Sequence, residues 1–229
     1  MATSASPQHA PAGRDRRSPA KHAAILNAAT EVFLREGFSR ASVDAIAEAA
    51  GVGKQTVYGH FGDKQRLFLA VVEHVHATSS PDKADLITDT GDPRADLTSA
   101  AAWVIRAVTT PAVAALHRLT IAELTHHPEL QRSWRDDGAS DSLIDAIASY
   151  LTACHRRGTL AVTDPATAAR QFVMLASAEA QVRSLRGLQR LTSREINSIA
   201  GETADLIVRA HQPHHADADA PATAKTSGP

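Results

Sequence analysis

The 229 residues include one cysteine, Cys154, which excludes an internal disulfide framework and a four-cysteine zinc site. A single thiol fits a reducing compartment. Aromatic residues are only 4% of the chain, so small aliphatic side chains must build the core, and close-packed helices are expected. No apolar run approaches the roughly 18 residues of a membrane-spanning helix. Residues 1–12 are small and polar and lack the apolar heart of a secretory signal. A cytoplasmic protein with no membrane partner is therefore expected. G-x-S-x-G, a Gly-rich phosphate loop and H-E-x-x-H are all missing, which argues against an enzyme. Cys154 and His155 are neighbours in sequence and diverge on a helix. Cys154 extends the apolar stripe of Leu143, Ile144, Ile147 and Leu151, so a buried, inert thiol is expected.

What is present is a globular composition, 43% hydrophobic and 21% charged. Net charge is −1, but it is unevenly spread. Up to Ala70 there are nine Lys and Arg against six Asp and Glu, and beyond it 15 against 19. A basic front and an acidic back imply two tasks. The arm 1–18 and the tail 213–229 lack periodicity and are expected to be disordered. Arg14, Arg16, Arg17 and Lys21 at the front suit either a solvated tail or an arm that adds phosphate or minor-groove contacts.

Between the ends the punctuation is helical. Ser18-Pro19, Asp92-Pro93, Thr110-Pro111 and Asp164-Pro165 each pair a capping side chain with proline at the first helical position. Thr192 and Glu195 form a capping box. No segment alternates with period two between hairpin turns, so no sheet is expected. Helices are predicted near 19–36, 43–49, 54–60, 64–78, 93–108, 112–126, 128–136, 140–156, 165–186 and 193–211.

Residues 42–61 read SVDAIAEAAGVGKQTVYGHF. Ser42 suits the cap of a short helix whose inner face holds Val43, Ile46 and Ala47. Gly51 suits a left-handed turn, and Val57 and Phe61 line the inside of the next helix. Small Ala47 allows the two helices to cross closely. This is the layout of a helix-turn-helix. The outward residues Lys54, Gln55, Thr56, Tyr58 and His60 are donors and acceptors suited to base edges and phosphates. Asp63 caps the following helix, and Lys64 in its first turn suits a phosphate clamp.

Over residues 19–70 the chain resembles the N-terminal domain of the TetR family of bacterial transcription regulators. The stretch ILNAATEVFLREGFSRASVDAIAEAAGVGKQTVYGHFGDKQRLFLAVV carries the likeness. It implies that Ser42, Thr56, Tyr58, His60 and Lys64 contact DNA. Gly53 departs from the family pattern, which has serine as the cap there; glycine is the weaker cap by a few tenths of a kcal/mol.

So short a reading helix makes few base contacts, and two copies in adjacent major grooves, roughly 34 Å apart, would supply affinity. A homodimer is expected. Phe172 to Ala178, FVMLASA, is apolar on all sides and needs cover on all sides. The last helix bears Ile196, Ile199, Thr203, Leu206 and Ala210 on one stripe. The resemblance implies that these two helices pair the subunits. It also implies a small organic effector held in the body, which shifts the two reading heads. Trp103, His117, Trp134, Phe172 and Met174 are candidates to line its cavity, though each also suits a plain core. LHRLTIAELTHHPEL and GTLAVTDPATAARQF resemble an AefR-like branch of the family.

The expected architecture is all-α. An N-terminal helix-turn-helix domain (19–75) precedes a larger helical effector-binding and dimerisation domain (76–212). The expected function is a homodimeric repressor on an inverted-repeat operator, released by a small molecule, without a cofactor. A metal-responsive regulator and an effector-free DNA binder are the rivals. His126, His127 and Glu129, or His211, His214 and His215, would serve the first, but adjacent histidines diverge on a helix, so no metal site is assigned.

Overall fold

The computed structural model describes residues 18–79, 86–124, 126–127 and 141–213. Among them are nine helices and no strand: α1 (Pro19–Arg40), α2 (Val43–Ala49), α3 (Lys54–Phe61), α4 (Lys64–Ser79), α5 (Pro93–Thr109), α6 (Pro111–Leu124), α7 (Asp141–Arg157), α8 (Pro165–Arg183) and α9 (Ser193–Ala210). The all-helical expectation holds. Trp134, Arg14, Arg16, Arg17, Glu129, His214, His215 and the helix expected at 128–136 lie outside the described residues. No single helix among the described residues is long and apolar enough to cross a membrane.

The described residues divide into two compact units. The first comprises α1 to α4, α6 and residues 186–188. Its α6, grouped by the sequence pattern with the C-terminal part, packs on α1 and α4. The core of this unit is a cluster of three phenylalanines. Phe33 and Phe38 each meet Phe68 at 5.2 Å between ring centroids, with edge-on geometry. Leu67, Phe68 and Val71 of α4 are fully buried beside them, and α6 adds Val113 and Leu116. Each such side chain removed from water contributes about 1.5–3 kcal/mol.

Local chemistry sets the helix ends. α1 starts with proline at its first position and is broken at Gly37, whose φ of 81° and ψ of 165° leave the helical region. Asp63 caps α4, its carboxylate accepting from the Arg66 amide at 2.8 Å. Leu185 (φ 48°) and Arg186 (φ 56°) precede Gly187 (φ 80°). A Cβ on Gly187 would sit 2.3 Å from the Ala114 Cβ, so only glycine passes α6 there.

The second unit holds residues 86–106, 141–185 and 189–213. Its polar anchor is Asp96, buried at 3% exposure. The carboxylate accepts from the Thr90 hydroxyl at 2.6 Å, the Thr90 amide at 3.0 Å and the Tyr150 hydroxyl at 2.7 Å. Burial pushes this carboxyl up, but the hydrogen bonds from Thr90, Tyr150 and the Gly91 amide outweigh it and hold the group below its ordinary value. Burial and the Asp96 bond push the Tyr150 hydroxyl up. Cys154 is fully buried on the α7 face that also buries Ile147 and Leu151, as the apolar stripe predicts. Asp164 caps α8 at Thr167, and Thr192 with Glu195 closes a complete capping box on α9.

Phenylalanine at Tyr150 would leave the buried Asp96 carboxylate one donor short. Tyr150→Phe is expected to lower stability by about 1–3 kcal/mol, read from denaturant unfolding. An unchanged midpoint and slope would contradict that role for the hydroxyl.

Candidate nucleic-acid interface

Helices α2 and α3 have seven and eight residues, too short to persist alone. They stand because their inner faces are buried. Val43, Ile46 and Ala47 of α2, and Val57 and Phe61 of α3, all join the phenylalanine cluster. The Ser42 hydroxyl caps α2 by accepting from the Ala45 amide at 3.0 Å. Gly51 then takes φ 65°, the left-handed turn expected of it. Gly53 occupies the α3 cap without a side-chain bond, and the carbonyl of Gly53 accepts from the Thr56 and Val57 amides instead.

Docking α3 by Val57 and Phe61 turns Lys54, Gln55 and Tyr58 outward. Tyr58 keeps 43% of its surface. Thr56 and His60 are half-buried on the flanks. Lys54 does not project freely. Its ammonium donates to the Asp44 carboxylate of α2 at 2.8 Å, and that bond and charge raise its pKa. Both partners are exposed, so the pair contributes little stability but ties the two helices of the motif together. The His60 ring lies 5.6 Å from the ring of His22 on α1, and His22 stacks on Phe61 at 4.6 Å.

Lys64 is held more tightly than its expected clamp role implies. Its ammonium donates to the carbonyls of Ala41 at 3.1 Å and Ser39 at 3.4 Å, and stands 4.5 Å above the Phe38 ring. Burial lowers its pKa, with Glu123 opposing the shift. Two of its three donors serve the backbone just before α2, so the side chain positions the motif as well as charging its surface. Asp44, His22, Ser39 and Glu123 also shape this surface, and no motif in the sequence singles them out.

The candidate effector residues are scattered. Trp103 and Phe172 are buried at 4% and 0% exposure in the second unit. His117 belongs to the first unit, half-buried on α6. Met174, expected to line an apolar cavity, is 63% exposed because α8 buries its opposite face through Phe172, Val173 and Ala176. A shallow cavity of about 130 Å³ lies between α8 and α9, lined by Leu175, Glu179, Ile199, Glu202, Thr203 and Leu206. No three His, Cys, Asp or Glu side chains converge to hold a metal among the described residues.

A short, glycine-turned helix pair docked on a three-phenylalanine core, with a polar outer face on the second helix, defines a helix-turn-helix protein. Residues 25–71 match the model of the tetR family of bacterial regulatory proteins. Residues 95–213, more than half of the chain, match the C-terminal domain of AefR-like transcriptional repressors. The chain belongs to the TetR family of transcriptional regulators, DNA-binding proteins and not enzymes. It is 35% identical over 80 residues to the HTH-type transcriptional repressor NicS of Pseudomonas putida, covering 35% of this chain and 38% of that protein. It is 41% identical over 68 residues to the HTH-type transcriptional activator FasR of Mycolicibacterium smegmatis, covering 28% and 31%. The chain thus spans about a third of the length of each of these two relatives. The solved structure of the Flavonoid-responsive Regulator FrrA is similar with a TM-score of 0.69 and 27% identity, over 86% of this chain and 100% of that one.

Burial first, then the charges of Arg186 and Arg118, hold the His117 imidazole below its ordinary value of 6.5. Below pH 6.5 the unfolded chain takes up a proton that the folded chain resists, so this site costs stability as pH falls. His117→Gln is expected to flatten the pH dependence of thermal unfolding just below that pH. A variant with the same slope as the unaltered protein would contradict this.

Proposed function

We propose that the protein is a homodimeric repressor that reads an inverted-repeat operator with two copies of α3 and leaves it when a small organic effector binds. In this reading residues 19–75 form the DNA-binding domain, and residues 76–212 the effector-binding and dimerisation domain. The observation that carries it is the outer face of α3. Gln55 and Tyr58 are exposed on a helix whose opposite side is fixed by Val57 and Phe61. Ser42, Lys54, Thr56, His60 and Lys64 surround them and serve phosphate and sugar contacts. Gln55 reads a base edge, because its amide has the paired donor and acceptor that matches adenine. Repression, rather than activation, takes its support from the AefR-like repressor model matched over 95–213.

Pairing has its own support. Met174, Leu175 and Val182 on α8 and Leu206 on α9 are large apolar side chains left open at 40–69% exposure. They sit on helices whose inner faces are already buried, so a second copy is the simplest cover. Trp103 and Phe172 carry the effector proposal. Both are buried aromatic surfaces in the unit that bears this pairing face.

Selection of bound sequences from a random library tests base reading. Gln55→Ala is expected to relax preference at one position of each half-site, a discrimination of about 1–3 kcal/mol. Lys64→Ala is expected to weaken binding to all sequences and to lower the slope of log affinity against log salt by about one. Unchanged preference in Gln55→Ala would remove Gln55 as the reader. No preferred sequence for the unaltered protein would overturn the proposal.

A further inference from the structure

The bend at 37–41 leads directly into α2. Three other parts of the first unit hold it: α4 through Lys64, α6 through Glu123, and the residues after α6 through His127. The Glu123 carboxylate accepts from the Phe38 amide at 3.1 Å, the Ser39 amide at 3.4 Å and the Ser39 hydroxyl at 2.8 Å. His127 Nε2 lies 3.0 Å from the same hydroxyl and 3.6 Å from the carboxylate. The His127 ring meets Phe38 edge-on at 4.8 Å. A Cβ on Gly37 would approach Glu123 Oε1 to 3.1 Å, so glycine also leaves room for the carboxylate. The side chain of Glu123 is 13% exposed.

We infer that Glu123 is a positioning residue for DNA reading. Its carboxylate fixes the bend at Gly37–Ser39, from which Ala41 and Ser42 launch α2, and so sets where α3 points. The inference rests on the operator-reading function proposed above.

The arrangement has the chemistry of a fixed anion in a backbone nest. Two successive amides converge on one carboxylate, and a hydroxyl completes its shell. Bonds of this kind, to a charged and mostly desolvated acceptor, are stronger than neutral ones. Apolar packing holds the bend through Phe38 and Ala41, both buried at 3% exposure, but leaves its backbone polar groups to other partners. It leaves the α1 helix at Gly37, and its backbone is also tied by the Ala41 amide to the Gly37 carbonyl and by the Lys64 ammonium on the carbonyls of Ser39 and Ala41. Lys64 holds the carbonyls and Glu123 holds the amides. Loss of either grip lets the start of α2 shift. A shift of about 1 Å at a reading head removes base contacts, whose bidentate geometry is strict.

Electrostatics alone predicts the opposite effect. Removing a negative charge near a phosphate-binding surface should strengthen DNA binding. The two accounts therefore differ in sign.

The test is operator affinity of the full chain with Glu123→Gln, an isostere without the charge, at two salt concentrations, with helicity and melting temperature measured in parallel. A loss of about tenfold for the operator, an unchanged salt slope and retained helicity are expected, because no phosphate contact is removed. Ser39→Ala removes only the hydroxyl; it should lose about threefold and serves if Glu123→Gln does not fold. The double variant should lose less than the product of the two single losses, since both act on one network. Affinity of Glu123→Gln equal to or above that of the unaltered protein overturns the inference and leaves the operator reading intact. A Glu123→Gln variant that fails to fold, with Ser39→Ala binding as the unaltered protein does, also overturns it. Failure of the unaltered protein to bind any operator overturns the function, and the inference with it.

Discussion

Everything the reading surface offers depends on the burial of five side chains, Val43, Ile46, Ala47, Val57 and Phe61. Helices of seven and eight residues have no stability of their own in water. They borrow it by burying those side chains against the cluster that α1 and α4 build around Phe33, Phe38 and Phe68. Once those five residues are inside, the helical repeat leaves Gln55 and Tyr58 outside. The orientation of the polar face follows from apolar docking and needs no separate device. The Lys54–Asp44 pair, solvent-exposed and geometrically good, secures the angle between the two helices at small energetic gain.

The first unit is also held by polar groups at the 37–41 bend, where burial of Phe38 in the core leaves backbone donors and acceptors still to be met. Lys64 lies on two carbonyls ahead of α2, and Glu123 on two amides of the same bend. A bend carries unsatisfied backbone donors and acceptors, and a half-buried one must find partners for both. α4 supplies the cation and α6 the anion. Both helices also bury apolar faces in the phenylalanine cluster, through Phe68 and Leu116 among others. A tilt of either one is therefore felt at the start of α2. In the function proposed above, that is the mechanical path from an effector to the reading head, provided it has different affinity for the two tilts.

Much of this was legible in the sequence, for identifiable reasons. Ser42, Gly51 and Asp63 are local signals: a hydroxyl cap, a left-handed glycine and a carboxylate cap need only their neighbours, and each does what its position predicts. The inner faces of α2 and α3 follow from helical spacing alone. What was hidden is non-local. Glu123 reads in sequence as one more acid on an amphipathic helix, yet it is 84 residues from the hydroxyl it accepts from. Lys64 reads as a free cation because its carbonyl partners lie 23 and 25 residues back. Met174 falls inside an all-apolar run, and only packing shows which side of α8 is left open. Spacing specifies a face, but it does not say what meets that face.

The most direct measurement is fluorescence-polarisation binding of the purified protein to the DNA flanking its own coding region, with excess non-specific competitor and at two salt concentrations. Binding that survives the competitor, weakens with salt and saturates at two protomers per site is the result this account predicts. Binding abolished by the competitor at both salts, or none at all from folded protein, would contradict it.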